Sequence, residues 1–282
     1  MARNTTGLAD PTFYELGRGK LFYAGVNTAT GKPDASGWRF LGNCPEFSIT
    51  IERQALEHES SQEGLKVTDK TVTQSLKVSI KFVLDEINDQ NFALWSAGET
   101  ATHTNPAIAG FSANVITDSA VLGRWYDIVN SSGERAYDID ATKLTVRRDP
   151  SGTPDTLVKD TDYTLDAKMG RIFLLTTSGT ALDGDEIDVA LTADAGASPV
   201  YEVRGLTSTD LLSGALKFIS ENPANGDKQK EIQFHTVDIA PDGDFSLIGD
   251  DWTQMSFSGS VQKNGLADID APYYRSRDHA LS

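Results

Sequence analysis

The side chains able to do chemistry are few and far apart. Four histidines, His58, His103, His235 and His279, are the natural candidates for proton transfer or metal ligation. None pairs with another at i, i+4, and the single cysteine, Cys44, has no thiol neighbour. Zinc needs N/S ligands at close spacing, so no metal site is read and each histidine is assigned to a surface or a strand. Residues 238–243 (Asp-Ile-Ala-Pro-Asp-Gly) superficially match a calcium loop, but Ala240 and Gly249 stand where oxygen ligands belong. A hairpin turn at Pro241, Asp242 and Gly243 fits better. Gly17-Arg18-Gly19-Lys20 is too short for a phosphate loop and leads into apolar Leu21-Phe22 without a helix. There is no Gly-x-Ser-x-Gly elbow. Carboxylate pairs such as Asp183/Asp185 and Asp250/Asp251 are what 41 acids produce by chance. The chain reads as non-enzymatic, with no metal and no cofactor.

Charge narrows the partners. Asp and Glu number 41 against 25 Lys and Arg, a net charge of −16. A protein that binds nucleic acid needs cations to displace phosphate counterions, and here only Arg147-Arg148 forms a basic pair. The same balance disfavours docking on anionic lipid, and no apolar run approaches the ~18 residues of a membrane span. One cysteine allows no internal disulfide, which fits a reducing cytosol. Residues 1–10 lack the apolar core of a signal peptide, so the sequons at Asn4 and Asn130 are read as chance matches.

The elements that must carry any function are strands. In 46–52, Phe47, Ile49 and Ile51 alternate with Ser48, Thr50 and Glu52; in 76–84, Leu76, Val78, Ile80, Phe82 and Leu84 alternate with Lys77, Ser79 and Lys81. Alternation of this kind marks strands with one buried face. Between them, 53–75 is a charged excursion roughly twice as long as an unstructured loop usually is. It reads as an arm, mobile in the isolated subunit, that something else must hold. Short strands are expected at 21–24 and 38–41. A short helix is expected within 86–98, with Asn88 as N-cap, Ile87 and Phe92 as a staple, and Gly98 at C′.

From about 101 to 199 the texture changes. Strand-like runs at 125–129, 143–148, 163–166, 171–176 and 187–191 are separated by turn signals, suggesting a small all-β insertion; the alternative is that they extend the main sheet. Strands resume at 201–204, 211–219, 231–239 and 254–261, where Met255, Phe257 and Val261 alternate with Gln254, Ser256, Ser258 and Ser260. The domain reading is therefore 1–103, an insertion 104–198, and 199–282. The tail 268–282 reads as a flexible or partner-bound end.

The block 42–98 resembles the core of phage major tail tube proteins. The matching residues are Gly42-Asn43-Cys44-Pro45-Glu46-Phe47, Glu57-His58-Glu59-Ser60-Ser61, Leu84-Asp85-Glu86-Ile87-Asn88 and Leu94-Trp95-Ser96-Ala97-Gly98. Stretches 214–225, 237–241 and 245–252 match as well, so a little over half the chain is covered. The run 157–175, with Thr161-Asp162-Tyr163-Thr164-Leu165-Asp166 and Gly170-Arg171-Ile172, resembles small β units of virion tail proteins. The resemblance implies an all-β fold, a β-sandwich or barrel tail-tube core with one short flanking helix and a small all-β insertion. It implies a structural virion protein, assembled in the bacterial host cytoplasm, whose hexameric rings stack into the hollow tail tube that delivers phage DNA. Partners would be other copies, tape measure and tail terminator proteins, and DNA that passes without specific binding.

In that family the arm bridges to the adjacent ring, which assigns docking to Arg53, Glu57, His58, Glu59, Ser60, Ser61, Glu63, Lys66, Asp69 and Lys70. The sheets of the subunits line one lumen, which assigns Ser48, Thr50, Glu52, Lys77, Ser79, Lys81, Gln254, Ser256 and Ser258 to its wall. Lys77 and Lys81 would make that wall locally basic, unless Glu52 and other acids offset them or they face a neighbouring subunit. The competing class is a β-sandwich that binds carbohydrate or a receptor on a virion or cell surface, with Trp38, Trp125 and exposed tyrosines as its platform. Against it, both tryptophans neighbour apolar runs and read as core.

Overall fold

The computed structural model describes residues 14–60, 64, 66–105, 112–148, 154–192, 200–207, 212–223 and 228–280. The fold is all-β, with one short helix among the described residues. In chain order the elements are β1 (Gly19–Gly25), β2 (Arg39–Phe40), β3 (Glu46–Ser60), β4 (Val67–Leu84), α1 (Asp89–Trp95), β5 (Glu99–His103), β6 (Ser112–Thr117), β7 (Trp125–Asp127) and β8 (Leu144–Arg148). They continue with β9 (Asp155–Thr156), β10 (Tyr163–Asp166), β11 (Arg171–Leu174), β12 (Ile187–Leu191), β13 (Val200–Arg204), β14 (Leu212–Ser220), β15 (Lys228–Pro241), β16 (Met255–Val261) and β17 (Tyr274–Ala280). Two compact units result, 1–100 with 203–282, and 101–202. The sequence-based cuts, 103/104 and 198/199, lie at the far sides of β5 and β13, which pair with each other.

The first unit is built on an antiparallel sheet ordered β2-β1-β14-β15-β16-β4-β3. Long β15 pairs with β14 on one side. On its other side it pairs first with β17, over Lys228–Phe234, and then with β16, over Val237–Pro241. Residues Tyr274–Ala280 of the tail thus form a sheet strand, which corrects the reading of this stretch as a flexible end. Its charged alternation, with Arg275, Arg277 and Asp278, hid it from a search for apolar periodicity.

The sheet curls over its own core. Phe47 on β3, at the sheet's edge, stacks on Phe218 of β14 at 5.4 Å between ring centroids and meets Phe234 of β15 edge-on at 6.0 Å. Strands so far apart in pairing order can touch only if the sheet folds back, giving sandwich character. Val78, Ile80, Phe82 and Leu84 are buried as their alternation requires, and so are Met255, Phe257 and Val261. Gly259 occupies the remaining inward position of β16, directly opposite Ile80. A Cβ there would meet side-chain carbons of Val237 at 2.6 Å and Ile80 at 2.9 Å, so the glycine makes room for two neighbours.

Helix α1 closes one side of this core. Asn88, extended at φ −116° and ψ 166°, caps it by accepting from Asn91 N. Leu94 and Ala93 are buried, while Phe92 and Trp95 pack on Phe245 at 5.5 and 5.4 Å. The helix ends differently from expectation: Ala97, at φ 47°, takes the left-handed C′ position, and Gly98 N donates to Ala93 O at 2.8 Å. Gly98 is needed because the Arg204 backbone carbonyl lies where its Cβ would project. Buried Asn91 joins the helix to two neighbouring segments, donating to Leu41 O (2.8 Å) and Glu86 O (2.9 Å) and accepting from Arg39 Nη1 (2.5 Å).

The second unit has a core of its own, formed between a β10-β11-β7 sheet and a β6-β12-β8-β9 sheet. Tyr163, Ile172 and Leu174 meet Leu144, Val146, Ile187, Val189 and Leu191 there. Among the described residues none of these strands pairs into the eight-stranded sheet. The basic pair is consumed internally: Arg147 binds Asp188 at 2.8 Å, and Arg148 binds Asp155 and Asp185 at 2.9 and 3.2 Å.

Candidate assembly surface

The residues assigned to a lumen gather on the outer face of three adjacent strands. Ser48, Lys81 and Ser258 form one row across β3, β4 and β16, and Thr50, Ser79 and Ser260 form the next. Glu52 lies opposite Lys77, and Ser256 continues the face on β16. Gln254 stands just before β16, exposed. The second row runs on through Asp238 of β15 to Ser213 of β14, residues that the sequence reading did not include. Asp238 accepts from Ser213 Oγ at 2.9 Å and Gln262 Nε2 at 2.8 Å. The face is therefore small and hydroxyl-rich. Its lysines are not left as a basic strip: Lys81 Nζ donates to Asp242 at 2.9 Å, a hydrogen bond that raises its pKa, and Lys77 faces Glu52.

The described residues of segment 53–75 are mostly strand rather than loop. Strands β3 and β4 continue through it as a two-stranded ribbon, paired from Arg53↔Leu76 outward to Ser60↔Val67. The register shifts twice, and each time the extra residue, Gln74 or Asp69, lies on β4. Such bulges increase local twist and turn a ribbon away from its parent sheet. Beyond Ile51 and Val78 nearly every ribbon residue is exposed. Leu76, expected in the core, is 59% exposed, and Ile49, Ile51, Leu56, Val67 and Val72 are also exposed.

Arg53, Glu57, His58, Glu59, Ser60, Lys66, Asp69 and Lys70 lie on this ribbon or at its tip; Ser61 and Glu63 fall outside the described residues. His58 meets Asp69 at 2.6 Å and Lys66 meets Glu59 at 3.7 Å. Exposed pairs contribute little to stability, and a lone hairpin is marginal in water. Neither the ion pairs nor local packing explains why the ribbon carries so many aliphatic side chains.

At the other end of β15 the chain does not turn tightly at Pro241, Asp242 and Gly243. The connection from β15 to β16 spans 242–254. It holds Leu247, Ile248 and Trp252 at 80%, 95% and 92% exposure, among Asp242, Asp244, Asp250 and Asp251. The two tryptophans considered as a sugar platform each have a cation over the ring: Lys217 Nζ lies 4.3 Å from the Trp38 centroid and the Arg171 guanidinium 4.5 Å from that of Trp125.

The remaining polar groups stand apart from this surface. His103 Nε2 lies 2.9 Å from Arg135 O, and His235 of β15 is buried beside Asp268 at 4.0 Å. Burial pushes the Cys44 thiol up to about 11, so it stays protonated at neutral pH. Among the described residues, no group of three or more His, Cys, Asp or Glu stands close enough to hold a metal ion.

A model of the family described as "Protein of unknown function UCP028589" matches residues 14–272. The chain belongs to this family. The UCP028589 match takes in the hydroxyl-rich face, the ribbon, the 242–254 loop and the whole second unit as one span. No curated protein matches the chain.

Proposed function

We propose that the chain is a structural virion protein, a bacteriophage tail tube subunit that forms stacked, hexameric rings around a lumen for DNA delivery. The observation that carries this reading is the ribbon. Two long strands leave the body of the sheet with both faces in water and with Ile51, Leu56, Val67, Val72 and Leu76 exposed along them. A monomer gains nothing from such a surface, since exposed aliphatic strands invite association. A second copy covering the ribbon removes both the apolar exposure and the open edge of β3.

The outer face of β3, β4, β16 and β15 suits a lumen wall. Serine and threonine hydroxyls offer no fixed cation to phosphate, and Lys81 is already held by Asp242. With a charge of −16 per copy, a tube would let DNA slide, because attraction to phosphate is what would retain it. Ring contacts between opposite sheet edges close the sheet around the lumen, and ring-to-ring contacts repeat without closing. Tape measure and tail terminator proteins are the further partners of this reading, with the virion tail as its location. Negative-stain microscopy of the concentrated, purified chain tests it: hollow tubes or rings are expected, and a persistently monomeric particle would contradict it.

A further inference from the structure

The second unit carries an exposed aromatic face that the assembly reading does not use. In its β10-β11-β7 sheet, Tyr163, Ile172 and Leu174 point into that unit's core, and Tyr126 and Leu165 pack against it. Alternation along a strand sends the intervening side chains to the opposite face. Register sets them in two rows: Thr164, Phe173 and Trp125 across the three strands, then Asp166, Arg171 and Asp127 beside them. Trp125 is 47% exposed although it lies within a strand. The Arg171 guanidinium sits over the indole, 4.5 Å from its centroid, and Phe173 tilts against it at 5.2 Å. The ring is therefore held in place before any ligand arrives, which lowers the ordering cost of binding.

The polar row is tied down as well. Arg171 Nε and Nη2 both meet Asp166 Oδ2 at 3.0 Å, and Met169 N donates to the other Asp166 oxygen at 3.2 Å. Asp127 Oδ1 meets Arg135 Nη2 at 2.9 Å, and Arg135 Nε donates to Met169 O at 2.9 Å. Each carboxylate of the row thus has its own guanidinium, so the row holds neither sign in excess to recruit an ion. Asp127 and Arg171 are still partly exposed and keep hydrogen-bonding groups in water.

Size and chemistry select the occupant. Strands β7, β10 and β11 are 3, 4 and 4 residues long. At ~4.8 Å between strands and ~3.4 Å per residue, the face measures on the order of 10 by 14 Å. That is far below the ~800 Å² per partner of a stable protein interface, and it suits a short stretch of sugar rings. A pyranose has an apolar C–H face, which the negative face of an aromatic ring attracts, and a rim of hydroxyls that both donate and accept. The second row lies two residues along the strands, ~7 Å away, where Asp127 accepts from such hydroxyls and Arg171 donates to them. We propose that this face of the second unit is a binding site for a neutral glycan, with Trp125 as the stacking platform and Asp127 and Arg171 as the hydroxyl-binding pair. It adds a function to the assembly reading and does not rest on it.

The experiment titrates the full chain, by calorimetry and tryptophan fluorescence, with neutral hexasaccharides of glucose, mannose, galactose and N-acetylglucosamine, and with heparin as the acidic comparison. At least one neutral sugar is expected to bind with a Kd of about 1 mM or tighter, equally at low and high salt. Trp125→Ala should weaken that binding about tenfold or more, and Asp127→Asn several-fold, while both melt like the wild type. Should the alanine variant fail to fold, Asp127→Asn decides alone. No binding of any neutral hexasaccharide at about 10 mM overturns the inference. So does binding that survives both substitutions, or binding confined to heparin and abolished by salt. Tubes that ignore every sugar overturn this inference alone, whereas a chain that binds sugar through Trp125 and never assembles upholds it and removes the tube reading.

Discussion

Ile80 and Ser79 are neighbours in the chain and opposites in environment. Ile80 is 1% exposed against Gly259 and Val237, while Ser79 looks outward in the row of Thr50 and Ser260. Ile80→Asp places an unpaired carboxylate in the core and should cost on the order of 4 kcal/mol or more, enough to unfold a marginal unit. Ser79→Asp should leave the melting temperature within a few degrees. Thermal melts of both variants check the register; the reverse order would mean that β4 is shifted by one residue. A second residue-scale prediction concerns His235. Burial holds its pKa below the ordinary 6.5, against the opposing pull of Asp268. A histidine kept neutral by the fold is protonated first in the unfolded chain, so its contribution is full above 6.5 and is lost as pH falls from 6.5 towards the depressed folded value. Melting of the wild type should therefore drop in that window more steeply than that of His235→Phe. Equal slopes would mean that His235 does not titrate differently in the two states. These inward and outward assignments were legible because period-two alternation survives from 78 to 84 and from 255 to 261. Asn91 was not legible, since nothing in its local sequence marks a side chain that bonds to Arg39 and Leu41.

At the scale of elements, alternation identified where strands begin but not how far they run. Residues 53–75 mix apolar and charged side chains without a regular period, because neither face is buried and bulges at Gln74 and Asp69 break the count. A strand exposed on both faces leaves no hydrophobic signature. β17 escaped because its positions after Tyr274 are mostly charged, leaving no apolar alternation. The cap at Asn88 was legible because the first turn of a helix imposes a local chemical requirement, whereas Ala97 at C′ contradicts the usual glycine preference. The ribbon itself makes a prediction. Replacing 54–74 with a short Asn-Gly turn should leave the core intact, since Val78 to Leu84 and their partners are untouched, and should abolish assembly. Retained melting with loss of large species by sedimentation is the expected pair of results. A shortened chain that assembles normally would remove the ribbon from the interface.

At the scale of the whole molecule, the change of texture near 101 and 199 was visible because short strands separated by turns differ from long alternating ones. The pairing that keeps strands β6–β12 in their own sheets depends on registers that no local pattern encodes. The excess of acids was visible from composition. The most direct test of the account is negative-stain microscopy of the full chain across rising protein concentration, at low and at high salt. Hollow rings that stack into tubes of uniform diameter are expected. Monodisperse single subunits at every concentration, with the ribbon still exposed to proteolysis, would contradict it.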